Sequence, residues 1–297
     1  MTEAGQPETA RLFRPGSHGD DSARYRARAP SEGVRRTTPG RHPATKVPEI
    51  TAIFWITKAL TTAMGEAASD FLVHQIKPVI AVGFGGIALV VALVLQFSVR
   101  RYVPWVYWLA VAMVAVTGTM AADVLHIQFG VPYSVSTPLF AVVLAAVFVA
   151  WYATEKTLSI HSIYTWRREV FYWATVMATF ALGTAAGDLT ATTLHLGYLV
   201  SGFVFAGIIT VPALGYKLFG LKETFAFWFA YVVTRPLGAS FADWLGKSHR
   251  VGGLALGDGR VAVAFSLLII GFVAFMTFDR RESARETPSL SDEAVES

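Results

Sequence analysis

FWITKALTTAMGEAASD, residues 54–70, sets an aromatic pair at Phe54 and Trp55, then Gly65 ten residues after the tryptophan and Asp70 fifteen after it. The frame [FY]-W-x9-G-x4-D returns three more times without a gap. Its copies are Tyr107, Trp108, Gly118, Asp123; Tyr172, Trp173, Gly183, Asp188; and Phe227, Trp228, Gly238, Asp243. Matched spacing in four copies marks an internal repeat whose unit is a supersecondary element. Each copy lies in an apolar run long enough to cross a bilayer, which takes about 20 residues. Eight such runs are expected, near 50–73, 78–97, 104–126, 133–153, 169–193, 198–216, 223–245 and 260–278.

The motif falls on the odd-numbered runs, so each repeat reads as a two-helix hairpin, over about 50–97, 104–153, 169–216 and 223–278. The expected fold is an all-α membrane protein: eight transmembrane helices, built as four two-helix repeats in a pseudo-symmetric arrangement about the membrane normal. Composition agrees. The chain is 54% hydrophobic and only 15% charged, and residues 50–278 hold thirteen basic and nine acidic side chains. Segments 1–49 and 279–297 are polar and cannot bury enough apolar surface to offset the entropy of ordering, so both are expected to be disordered cytoplasmic tails. No apolar core of a cleaved secretory signal lies in the first thirty residues.

Loop charges orient the helices. With both termini inside, the inner loops hold Arg100, Arg101, Lys156, Arg167, Arg168, Lys217 and Lys222. The first three outer loops hold Lys77 alone, and only the last, with Lys247, Arg250 and Arg260, goes against the positive-inside bias. The net charge of +4 is therefore a matter of topology, and no nucleic-acid partner is expected.

Charge within hydrocarbon costs at least ~2.5–3.5 kcal/mol at a helix centre on insertion scales. The even runs carry no Asp, Glu, Lys, Arg or His in their apolar stretches, so they should face lipid while the motif helices face inward. At ~1.5 Å rise per residue, tryptophan and aspartate are about 22 Å apart. The tryptophans then sit at the inner interface as anchors and the aspartates in the outer third. The motif glycines read as helix-packing contacts.

The inward set is Asp70, Asp123, Asp188, Asp243 and Glu66, against Lys58 and Arg235 as charge-balancing groups. Glu66 precedes Asp70 by four residues, on one helix face, and its equivalents are Thr119, Thr184 and Ala239. Clustered carboxylates demand a cation or a proton. Oxygen donors without any cysteine suit a hard ion such as Mn²⁺, Mg²⁺, Ca²⁺ or Na⁺, with the four aspartates as candidate metal ligands. Pro236, after Arg235, should kink its helix. His74, His126, His195 and His249 follow the aspartates at unequal offsets and share no ligand geometry. The loop 154–169 reads as a solvated connector.

GEAASD (65–70), GTMAAD (118–123), GTAAGD (183–188), RPLGASFAD (235–243) and the inner stretch EKTLSIHSIYTWRRE (155–169) resemble a known family. It is the bacterial integral membrane proteins made of four tandem repeats of unknown function, with two transmembrane helices and one tryptophan per repeat. The resemblance covers about residues 46–278 and implies a fold, with no activity attached; the inner membrane, with a multi-pass chain and both termini cytoplasmic, is the expected location.

The residues themselves point to a secondary transporter or exchanger of a small cation. Asp70, Asp123, Asp188, Asp243 and Glu66 bind it, helped by the hydroxyls of Thr119 and Thr184. A cation channel is the near alternative. A scaffold or sensor whose aspartates only join helices is the alternative of a different class. H-E-x-x-H, G-x-S-x-G, Walker and GxGD patterns are missing, so neither an enzyme nor a resident cofactor is expected.

Overall fold

The computed structural model describes residues 45–286, with side chains to residue 280. Eight long helices follow one another: α1 (Ala52–Gln75), α2 (Pro78–Ser98), α3 (Pro104–Ile127), α4 (Tyr133–Glu155), α5 (Trp166–Asp188), α6 (Tyr198–Phe219), α7 (Glu223–Gly246) and α8 (Asp258–Glu286). No strand occurs among the described residues.

The helix starts follow local chemistry. Thr51 and Thr165 cap α1 and α5, their hydroxyls accepting from the backbone N–H groups of Phe54 and Arg168. Proline opens α2 and α3, where its missing N–H costs nothing. A single π-turn, Leu189–Thr193, prolongs α5. The kink expected at Pro236 does not break α7, which runs unbroken from Glu223 to Gly246. Prolines also lie inside α4 and α6, at Pro138 and Pro212.

Six of these helices (α2, α3, α4, α5, α6 and α8) are long and apolar enough to cross a membrane. α1 and α7 are not among them, since they carry Lys58, Glu66 and Asp70, and Glu223, Arg235 and Asp243. The even helices present large apolar side chains outward, such as Val79, Phe84 and Ile87 on α2 and Val263, Leu267 and Ile270 on α8. Continuous outward apolar faces of this kind belong against lipid or a partner, not water.

The motif helices close into a ring: α1 packs on α3 and α7, and α5 packs on the same two. The even helices do not pack as the hairpin reading expects. α2 rests mainly on α3, α4 on α5, α6 on α7, and α8 returns to α1. Each thus leans across a joint onto the next motif helix, and α8 seals the last joint.

The tails expected over 1–49 and 279–297 lie mostly outside the described residues. At their inner ends, α8 continues to Glu286, and residues 45–49 form a strap in which Lys46 and Val47 are buried. Lys46 donates its backbone N–H to Ile163, and Tyr102 donates to Thr45. The Lys46 ammonium meets Glu169 at 2.6 Å, while Gln96 donates to the other oxygen of that carboxylate at 3.0 Å. The solvated connector of 154–169 is in part folded under as well. Ile160 and Ile163 are buried, and the Leu158 carbonyl accepts from the Trp228 indole at 2.9 Å.

Candidate functional site

Positions three, seven, eleven and fifteen residues after each motif tryptophan fall on one face of its helix, because steps of four keep to one side. Around the ring they stack into layers.

The motif aromatics form the first layer, and they pair cyclically. Ring centroids of Phe54 and Trp108 are 5.8 Å apart, Tyr107 and Trp173 5.7 Å, Tyr172 and Trp228 6.0 Å, and Phe227 and Trp55 5.7 Å. Every repeat therefore hands its first aromatic to the tryptophan of the next, and the fourth hands back to the first. This corrects the expectation of tryptophan anchors at the interface: Trp108, Trp173 and Trp228 are buried, and only Trp55 is partly exposed. The Tyr107 and Tyr172 hydroxyls share a hydrogen bond of 2.5 Å inside this layer.

Lys58, Val111, Val176 and Tyr231 make the second layer, all four fully buried. The Lys58 ammonium lies 4.3 Å from the ring centroids of both Phe180 and Tyr231 and has no hydrogen-bond partner among the described residues. Both rings lie within cation–π distance of the amine.

The third layer is Thr62, Ala115, Phe180 and Arg235, and each member faces the motif glycine of the preceding repeat. A Cβ on Gly65 would meet Ala115, on Gly118 Phe180, on Gly183 Arg235, and on Gly238 Thr62. Glycine lets the backbones approach at all four joints, as the packing reading expects.

Arg235 reaches from this layer into the next. Its guanidinium Nη2 donates to Glu66 at 2.6 Å, to Thr184 at 2.7 Å and to the Thr119 hydroxyl, while Nη1 points at the Thr62 carbonyl at 3.4 Å. Those three acceptors are the residues that follow the motif glycine in repeats one, two and three. One cation from repeat four thereby ties together its three counterparts, where its own repeat offers only Ala239.

The aspartates form the outermost layer. Glu66, Asp70 and Asp243 each offer a ligand oxygen, and these atoms all lie within 4.8 Å of one another. Asp123 and Asp188 stand outside this trio, so the expected set of four aspartate ligands divides. Both hold the same register position as Asp70 and Asp243, fifteen residues after their tryptophans. One Asp123 oxygen is buried without a hydrogen-bond partner among the described residues.

Sequence reasoning missed the main counter-ion of this layer. Lys247, counted above as an outer-loop base, places its ammonium 2.5 Å from Asp70, 3.9 Å from Asp243 and 3.8 Å from Asp258. A signal was present: Lys247 follows Asp243 by four residues, one helical turn. No histidine is in the carboxylate trio. His74, His126 and His249 turn their Nδ1 atoms to the carbonyls of Asp70, Val131 and Gly253.

The sequence of each ring segment settles what this chain is related to. Residues 53–102, 106–157, 171–220 and 226–282 each match the repeat described as Repeat of Unknown Function (DUF347). The chain belongs to that family. Each DUF347 unit spans one motif helix and the even helix after it, so the unit of duplication is the hairpin, while the unit of packing is a motif helix with the even helix of the preceding copy. No curated protein and no solved structure matches the chain.

Proposed function

We propose that this DUF347 protein is a secondary transporter or exchanger of a small cation, and that Glu66, Asp70 and Asp243 form the core of its binding site. In this reading all eight helices span the bacterial inner membrane, pseudo-symmetric about its normal, with both termini cytoplasmic. Lipid and the cation are its partners. The observation that carries it is three carboxylates with ligand oxygens within 4.8 Å of one another at one end of a closed ring, with Asp123 and Asp188 at the matching positions of α3 and α5.

Acidic groups inside a membrane protein are costly to keep and commonly mark ion pathways. The donor set is all oxygen, which fits Mg²⁺, Mn²⁺, Ca²⁺, Na⁺ or a proton better than a soft metal. Arg235 and the aromatic layer obstruct the axis below the site, which favours a carrier over an open channel. The scaffold reading draws support from the same two cations, since Arg235 and Lys247 can satisfy Glu66 and Asp70 with no ligand at all.

Flux separates the two. In proteoliposomes loaded with a cation gradient, Asp70→Asn and Asp243→Asn should each slow flux about tenfold or more, the scale on which weakening a metal site acts. Asp188→Asn, outside the trio, should retain more. Equal flux in the wild type and both trio variants, with unchanged thermal melting, would sink the transport reading. Loss of assembly in both would favour aspartates as helix links.

A further inference from the structure

The carboxylate trio already holds a positive charge that belongs to the chain. We propose that the Lys247 ammonium is a tethered occupant of the cation site, holding the place that a free cation takes during turnover. This rests on the cation-carrier reading and adds its regulation.

Two of the three trio carboxylates are its partners: Asp70 at 2.5 Å and Asp243 at 3.9 Å. A free cation cannot bridge those oxygens while an ammonium sits between them, so occupation by one excludes the other. The backbone that carries Lys247 is fixed. Leu254, Ala255, Leu256 and Gly257 donate their N–H groups in turn to the carbonyls of Trp244, Lys247, Leu245 and Gly246, folding the outer loop back over the end of α7. Gly253 lies against the Lys247 carbonyl itself, closer than any side chain there would allow. Motion is thus left to the side chain, which is long and freely rotating.

A resting place for the displaced ammonium is built in. Asp258, in the first turn of α8, lies 3.8 Å away, with its second oxygen buried and unpartnered among the described residues. A short swing takes Lys247 from Asp70 onto Asp258 and frees two oxygens for the incoming ion. Glu66 stays on Arg235, and one buried Asp123 oxygen stands without a hydrogen-bond partner among the described residues. One cation leaves the trio as another enters, so the site does not stand bare between events.

The test uses the full chain in detergent at one pH, titrated calorimetrically with Mn²⁺, Mg²⁺, Ca²⁺ and Na⁺. Lys247→Gln should bind the preferred ion about tenfold tighter, the factor for a site about nine-tenths blocked at rest. Lys247→Arg should stay close to wild type. In the wild type, the same ion should speed acylation of Lys247 by an amine-directed reagent, read by mass spectrometry, as the ammonium leaves its carboxylates. That second readout does not depend on the variant folding, and a simple gain in negative field would not move it.

If the wild type binds an ion but Lys247→Gln gains nothing and Lys247 reactivity is unchanged, the tethered-occupant proposal is overturned while the carrier reading stands. If neither protein binds any of the four ions, both fall.

Discussion

Arg235→Met is expected to destabilise the protein by about 3–5 kcal/mol, the range for removing one partner of a buried ion pair. The guanidinium is fully buried, and it is the hydrogen-bond donor to the Glu66 carboxylate and to the Thr119 and Thr184 hydroxyls. Methionine fills the space and leaves the buried Glu66 carboxylate without its guanidinium partner. The second arm of the experiment makes the claim specific: in Arg235→Met with Glu66→Gln the stranded charge is gone, and most of the lost stability should return, because replacing both members of a buried pair is often neutral. Thermal and denaturant unfolding in detergent reads both. Equal destabilisation of the single and double variants would mean that Arg235 acts through packing alone, against the Gly183 backbone, and that its charge is incidental.

The second large effect comes at the ring joints. Gly65→Ala places a Cβ onto Ala115 of α3, within 2.9 Å of the Ala115 carbonyl carbon, and a backbone atom cannot turn aside as a side chain can. Overpacking of this kind costs typically about 1–3 kcal/mol. The joint cannot open alone, since α1 is also held by α7 and α8, so the strain spreads through the ring. Gly86→Ala on α2 is the control. Nothing lies within 4 Å of a Cβ there, and alanine in a helix is worth about 0.5–1 kcal/mol over glycine, so this variant should gain stability. Opposite signs for two glycine-to-alanine changes, measured as melting shifts, are expected. A neutral Gly65→Ala would show that the motif helices are not in contact at that point.

Much of the site was legible in the chain. The four aspartates, Glu66 and its threonine equivalents Thr119 and Thr184 were found from spacing, and Lys58 and Arg235 from being charged in apolar runs. The division of labour between inward motif helices and even helices with outward apolar faces followed from where charge is absent. Other features were hidden for physical reasons. The tryptophans read as interface anchors because an indole is at home at a membrane surface. Their burial depends on a neighbour's aromatic remote in sequence, 54 residues away for Phe54 with Trp108 and 66 for Tyr107 with Trp173. The strap at Lys46 looked like the end of a polar tail, since its partners, Glu169 and Gln96, are remote in sequence.

What the sequence determined by itself is the number and register of the helices, the fourfold repeat, and the inward and outward faces. Those follow from hydrophobic periodicity and a rise per residue, which are local and do not need a partner. The tertiary structure alone decided the cyclic order: that α2, α4, α6 and α8 lean on the following motif helix, that Arg235 bridges three repeats, and that Lys247 rather than Lys58 sits among the aspartates. Such pairings depend on which surfaces close the ring and how far a side chain reaches across it, and a linear pattern of spacings holds no distance between residues on different helices.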